Sequence, residues 1–195
     1  MRTTRLSGAV LIAVFSAACG GSTVSPAAPS TAGSTDITVT ATIPPGPCTI
    51  GFDGLTANRA PFATHTACGL TVEATGAAWQ GVTTYGVPPP FIWFLAPGGS
   101  TLTGDVTLRS AHDAFTFTSV DLYSSTTRIP YEVTGLAAGV EAFSLHDEVG
   151  NTFGNFKTVS NPHGTAIDTL RIRLTNPAAP CCENPVGLDN IRIAR

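Results

Sequence analysis

Between residues 79 and 94 the chain gathers the side chains best suited to gripping a ligand. Trp79, Tyr85, Phe91, Trp93 and Phe94 fall there, interrupted by Pro88-Pro89-Pro90, with Gln80 beside the first ring. An exposed Trp or Tyr stacks its face on the C–H groups of a pyranose, and nearby amides and charged groups fix the hydroxyls. Asn58 and Arg59 are the further polar candidates. In Phe91-Ile92-Trp93-Phe94-Leu95, alternation sends Ile92 and Phe94 to one face and Phe91, Trp93 and Leu95 to the other. Trp93 therefore reads first as core and second as a ligand contact. Trp79, between Ala78 and Gln80 and close to Gly76 and Gly81, is expected to be the more exposed ring, as a platform or a lid on the core.

Catalytic chemistry has weaker support. His112-Asp113 and His146-Asp147-Glu148 sit beside turn residues, and His65 and His163 fall in loops. Neither a His-Glu-x-x-His helix nor a Gly-x-Ser-x-Gly elbow occurs in the sequence. Paired carboxylates for glycoside cleavage meet in space rather than in sequence. Asp36, Asp105, Asp121 and Asp168, however, occupy strand or turn positions that a plain sandwich explains. No catalytic residue is assigned, and the chain reads as a non-enzyme.

Charge narrows the partners. Charged residues make up 12% of the chain, its net charge is −3, and Lys157 is its single lysine. A nucleic-acid partner would require a basic face, so none is expected. Low charge with abundant Thr, Ser, Gly and Pro suits an exported all-β domain.

The first residues speak of export. Arg2 and Arg5 precede an apolar run, Leu6 to Ala18, that ends in Ser16-Ala17-Ala18 before Cys19. About 13 residues are too few to cross a bilayer core, which needs roughly 20. Basic, apolar and small-residue zones in that order make residues 1–18 a secretory signal peptide. Ser16-Ala17-Ala18-Cys19-Gly20-Gly21-Ser22 resembles the cleavage region of bacterial lipoproteins, with Ser16 where that family prefers Leu. The resemblance implies lipidation of Cys19 and, with Gly20 rather than Asp following, an outer-membrane destination in a Gram-negative envelope. An ordinary secretory cut would leave the protein secreted, with Cys19 incidental. From Gly20 to Asp36 the single large apolar residue is Val24, so residues 19–36 read as a flexible tether that meets the membrane through the lipid alone.

Residues 37–195 remain as one domain of ordinary size. With Cys19 set aside, Cys48, Cys68, Cys181 and Cys182 are an even set suited to an oxidising compartment. A disulfide between the neighbours Cys181 and Cys182 would strain the intervening peptide, so bridges from that pair back to Cys48 and Cys68 are favoured. The spacings are not those of paired Cys-x-x-Cys zinc knuckles.

No stretch after residue 36 sustains a helical period. Short runs with period-two alternation, broken by Gly, Pro, Asn and Asp, predict about ten strands. Ile37–Ile43 reads as an edge strand or an extension of the tether, because Pro44-Pro45-Gly46-Pro47 follows it. Further strands are predicted at 49–53, 70–74, 91–95, 106–109, 115–123, 131–136, 140–145, 153–159, 167–174 and 187–193. In the run from Phe115 to Tyr123, the inward residues Phe115, Phe117, Val120 and Leu122 change phase near Ser119, which predicts a bulge. The whole reads as an all-β, two-sheet antiparallel β-sandwich of jelly-roll type.

The order of Ile50-Gly51-Phe52-Asp53, Phe117-Thr118-Ser119-Val120-Asp121-Leu122, Ile167-Asp168-Thr169-Leu170-Arg171-Ile172 and Gly187-Leu188-Asp189-Asn190-Ile191-Arg192-Ile193 resembles bacterial galactose-binding-like jelly rolls of the carbohydrate-binding-module type. The similarity spans roughly residues 48 to 194. It implies first and last strands lying antiparallel, with a structural calcium near their ends as the one candidate cofactor. The candidate ligands are Asp53 and Asp189, with Asn190 and backbone carbonyls completing the shell of six to eight oxygens that calcium wants. Hydrogen bonding of Asp189 and Asn190 to a neighbouring loop is the simpler alternative. Such folds host many functions. The expected function is a non-catalytic binding module of the bacterial cell surface, for carbohydrate or another extracellular polymer. The alternatives are a structural or protein-interaction domain of the envelope and, behind it, a glycoside hydrolase.

Overall fold

The computed structural model describes residues 46–125, 127–177 and 183–195. The expected signal peptide, lipidated Cys19, tether and Ile37–Ile43 strand, together with Cys181 and Cys182, lie outside them. Thirteen strands and no helix make up the described residues: β1 (Pro47–Ile50), β2 (Thr64–Ala67), β3 (Leu70–Thr75), β4 (Gln80–Val82), β5 (Phe91–Ala96), β6 (Leu102–Ser110), β7 (Phe115–Ser124), β8 (Ile129–Ala137), β9 (Val140–Val149), β10 (Lys157–Ser160), β11 (Ala166–Ile167), β12 (Thr169–Asn176) and β13 (Asn184–Ala194). They form two antiparallel sheets. One runs β10-β7-β13-β5-β4, with β1 also paired to β13 and β11 to β7; the other runs β2-β3-β6-β12-β8-β9.

Alternation decides which faces meet. In β12 every second residue is buried, so Leu170, Ile172 and Leu174 point inward while Arg171 and Arg173 reach the outer surface. There Arg173 forms a two-pronged ion pair with Asp105 on β6, at 2.8 and 3.2 Å. Ile92 and Phe94 of β5, Phe115, Phe117, Val120 and Leu122 of β7, and Leu188, Ile191 and Ile193 of β13 come from the other sheet to fill the same core. The predicted phase change near Ser119 is visible as register shifts in the β7–β13 ladder between Asp189 and Ile193, where Asn190 adopts a left-handed φ of 47°.

Turn chemistry sets the hairpins. Cys68-Gly69 joins β2 to β3, and Ala138-Gly139 joins β8 to β9, each pair with φ positive at both residues. This is the two-residue turn whose twist matches the flanking strands. The short strands β2 and β4 were not foreseen, since three or four residues carry too little alternation to register. The predicted strand at 153–159 is shortened to Lys157–Ser160, because Asn151, Gly154 and Asn155 fold its first part into turns.

The favoured disulfide pairing is corrected. Cys48 bonds Cys68, with Cα atoms 6.2 Å apart. β1 lies along the end of β13, with Cys48 opposite Ile193, and this brings it to the tip of the β2–β3 hairpin in the other sheet. The bridge therefore staples sheet to sheet, a juxtaposition that spacing along the chain does not encode.

Candidate functional site

On the outer face of the seven-stranded sheet lies a second apolar cluster, separate from the main core. Phe91 and Trp93 of β5 and Tyr123 of β7 form it with Val82, and Leu95 and Phe156 pack against it. Gly187 of β13 stands between Trp93 and Tyr123, its register partners on either side. Having no side chain, it leaves the two rings room to approach. The β4–β5 loop (residues 83–90) folds over them, so that the Tyr85 ring sits 6.2 Å from both Trp93 and Tyr123. Burial first, and then the neighbouring Tyr85 hydroxyl, push the Tyr123 phenol upward, so it stays protonated.

A cleft of about 360 Å³ opens beside this cluster. Trp93, Leu95 and Val82 form its apolar wall, and Tyr85 lies at its edge with 48% of its surface exposed. Asn58, Arg59 and Glu183 also line it. Asn58 Oδ1 accepts the Thr83 N–H at 3.1 Å, which secures the β1–β2 loop to the β4–β5 loop and leaves the amide N–H₂ for other partners. Arg59 is held in a left-handed conformation, φ 61°, its own N–H bonded to the Gly81 carbonyl at 2.7 Å. Neither Arg59 nor Glu183 forms an ion pair among the described residues. Thus the cleft combines an aromatic face with uncommitted donors and one carboxylate. That composition suits a polyhydroxylated ligand with an apolar face. Two-carboxylate cleavage would need a second acid, and Glu183 is the single one in the lining.

Of the residues singled out from the sequence, the structure brings Asn58, Arg59, Tyr85 and Trp93 to this cleft and leaves two away from it. Trp79 is not the exposed ring: it is 2% exposed, packs edge-on to Phe94 at 4.8 Å, and donates its indole N–H to the Thr75 carbonyl at 3.0 Å. Gly104 of β6 gives the ring its room, since a Cβ there would lie 2.8 Å from the Trp79 ring. Gln80, half-buried, does not line the cleft either. It pairs with Trp93 across β4 and β5, and its Oε1 and the Trp93 Nε1 are both buried without a partner among the described residues. Glu183 and Thr84 were missed because a lone Glu or Thr at a loop end carries no motif.

The second candidate set converges at the β1 end of the sheet. Asp53 Oδ2, Asp189 Oδ1 and Asn190 Oδ1 lie 3.5, 3.9 and 3.9 Å from the point where a Cβ on Gly51 would stand. Asp189 is 5% exposed, and its Oδ1 has no hydrogen-bond partner among the described residues. Burial pushes its carboxyl up to about 7, against the pull of the Asn190 backbone N–H, with the charges of Asp53 and Asp121 adding to the rise. Asp121 is committed elsewhere: Arg192 donates to both its oxygens at 3.1 and 3.0 Å, and Thr158 donates at 2.6 Å. Burial alone would raise the Asp121 carboxyl, but these donors hold it below the ordinary carboxylate range. Two carboxylates and an amide oxygen around one point, one of them buried and unpartnered, fit a hard oxygen-seeking cation. No group of three or more His, Cys, Asp or Glu side chains is placed to hold a metal among the described residues.

No family model matches the chain, and no curated protein matches it. Among solved structures it is similar to a family 29 carbohydrate-binding module from Piromyces equi, with a TM-score of 0.46 and 10% identity over 76% of this chain and 90% of that one. A family 61 carbohydrate-binding module in complex with β-1,4-galactotriose gives a TM-score of 0.41 and 10% identity over 65% and 88%. The enzymatically active domain of tailspike protein 4 from bacteriophage CBA120 gives 0.41 and 12% over 64% of this chain and 19% of that one.

Proposed function

We propose that this β-sandwich is a non-catalytic carbohydrate-binding module of the cell surface, holding its glycan in the cleft between Tyr85, Trp93, Asn58, Arg59 and Glu183. The observation that carries the reading is the half-exposed Tyr85 ring beside the uncommitted Asn58 amide and Arg59 guanidinium. In this arrangement a pyranose stacks its C–H face on Tyr85, where the ring contributes contact area at little cost in side-chain entropy. Arg59 and the Asn58 amide donate to ring hydroxyls, and Glu183 accepts from them. Trp93 forms the wall that excludes water from one side of the sugar. With one cation and one anion in the lining, the cleft favours a neutral sugar over a strongly acidic one.

Asp53, Asp189 and Asn190 are proposed to hold a structural calcium, which would neutralise the buried Asp189 carboxylate and tie the loop after β1 to β13. The export signal and Cys19 support placing the module outside the cell, attached to the envelope through lipid. A glycan array probed with the full chain tests the reading. Signal on neutral polysaccharides, lost in Tyr85→Ala, is the expected result; silence across neutral and acidic polysaccharides overturns it and favours a structural role.

A further inference from the structure

Four large apolar side chains stand exposed among the described residues: Tyr85, Val87, Val140 and Phe153. Three of them fall on two loops that are joined to each other. Val87 donates its N–H to the Gly154 carbonyl at 3.0 Å, tying the 83–90 loop to the turn at 150–156. Both loops rest on the same aromatic base. Phe156 packs 5.1 Å from Phe91 and 5.7 Å from Tyr123, and Tyr123 in turn supports Tyr85.

Phe153 itself is 83% exposed and holds a left-handed φ of 53°. A bulky residue rarely adopts that conformation, and an aromatic ring gains nothing by standing in water. Local bonds hold it there: Phe153 donates its N–H to Asn151 Oδ1 at 2.7 Å, and the Asn155 amide donates to the Phe153 carbonyl at 3.4 Å. Along the path from Tyr85 through the Val87–Gly154 bond, the Cα atoms of Tyr85 and Phe153 are at most about 20 Å apart by backbone dimensions. Phe153 therefore stands exposed on a braced turn that is hydrogen bonded to the Tyr85 loop.

We infer that Phe153, with Val87 beside it, is a second stacking platform for a further residue of the same glycan that occupies the Tyr85 cleft, so that the site selects a polysaccharide chain over a single sugar. The inference rests on the carbohydrate reading above and deepens it. Tyr85 offers a ring and a hydroxyl among polar neighbours and suits the residue whose hydroxyls are read. Phe153 has no polar handle, so it takes the C–H face of a residue whose hydroxyls stay in water. The occupant is the ligand of the neighbouring cleft because the loop that carries Tyr85 into that cleft also carries Val87, whose N–H is bonded to the turn that holds Phe153.

Titration calorimetry of the full chain with galactan-, mannan- and cellulose-derived oligosaccharides, two to six residues long, tests it. The expected result is affinity for at least one series that rises with length, and about a tenfold loss on the longer chains in Phe153→Ala, the scale of one aromatic stacking contact. Disaccharide affinity stays unchanged in that variant. Phe153→Tyr keeps the gain with length. Phe153→Gly, which accommodates the left-handed backbone without a ring, loses it, separating loss of the ring from loss of the turn. Wild-type affinity at every length in Phe153→Ala overturns the inference and leaves the carbohydrate reading standing. Failure of the wild type to bind any of the three series overturns the inference, and silence across the glycan array overturns the carbohydrate reading with it.

Discussion

Gly187 and Trp93 face each other across β13 and β5 so closely that a Cβ on the glycine would lie 2.9 Å from the tryptophan Cβ. The same Cβ would run into the Ile92 carbonyl, which is backbone and cannot swing aside. Overfilling a packed site costs about 1–3 kcal/mol. Gly187→Ala is expected to lose stability at the upper end of that range in thermal melts and to weaken glycan binding by moving the wall of the cleft. Melting at the wild-type temperature would show that the strands separate freely.

Tyr85 and Trp79, two of the aromatic residues singled out in the sequence, should respond to truncation in opposite ways. Tyr85→Ala is expected to cost about tenfold or more in affinity while shifting stability by less than about 0.5 kcal/mol, because half the ring is already in water. Trp79→Ala empties a buried site and orphans the Thr75 carbonyl, costing about 3–5 kcal/mol. Calorimetry paired with denaturant unfolding separates the two effects. Equal stability losses would contradict the placement of both rings.

Asp189 should make the metal-free protein less stable as pH rises. Its folded pKa, about 7, lies above the unfolded value near 3.8. The folded state therefore keeps a proton that the unfolded chain gives up. Stability from this group is present in full below pH about 4 and drains away, by a few kcal/mol, as pH climbs to 7. Asp121 works in the other direction and lower window: its folded pKa is lowered, so its contribution is lost as pH falls through that value. In chelator-treated protein the melting temperature is expected to fall between pH 4 and 7, and Asp189→Asn should flatten that fall. Calcium at pH 7 should raise the wild-type melting temperature and leave Asp189→Asn unmoved; an unchanged pH profile and no calcium effect would count against both assignments.

Removing the staple between the sheets should be felt throughout the fold. The Cys48–Cys68 bridge closes a loop with a sequence separation of 20, which corresponds to about 3 kcal/mol of stabilisation in the loop-entropy account. Cys48→Ser with Cys68→Ser is expected to lower stability by that order in urea titrations under non-reducing conditions. Wild type in reductant should approach the same midpoint.

The all-β class, the inward residues of β7 and β12, the opposite faces of β5 and the phase change at Ser119 are written in the residues themselves, because alternation is a local property with a period of two. So are the aromatic stretch and the Asp-Asn pair of the last strand. What the chain could not declare locally is which outer face acquires a cover. Alternation and the flanking glycines favour Trp79 over Trp93 as the exposed ring; the structure seals Trp79 against β3 and β6, while Trp93, itself buried, borders a cleft that Gly187 and the Tyr85 loop frame. The partner of Cys48, the meeting of Asp53 with Asp189, and the joining of Val87 to Gly154 arise from strand order across two sheets. Contacts between residues this far apart in the chain exist only once the sheets have paired and stacked, and that pairing is a property of the assembled core rather than of any one segment.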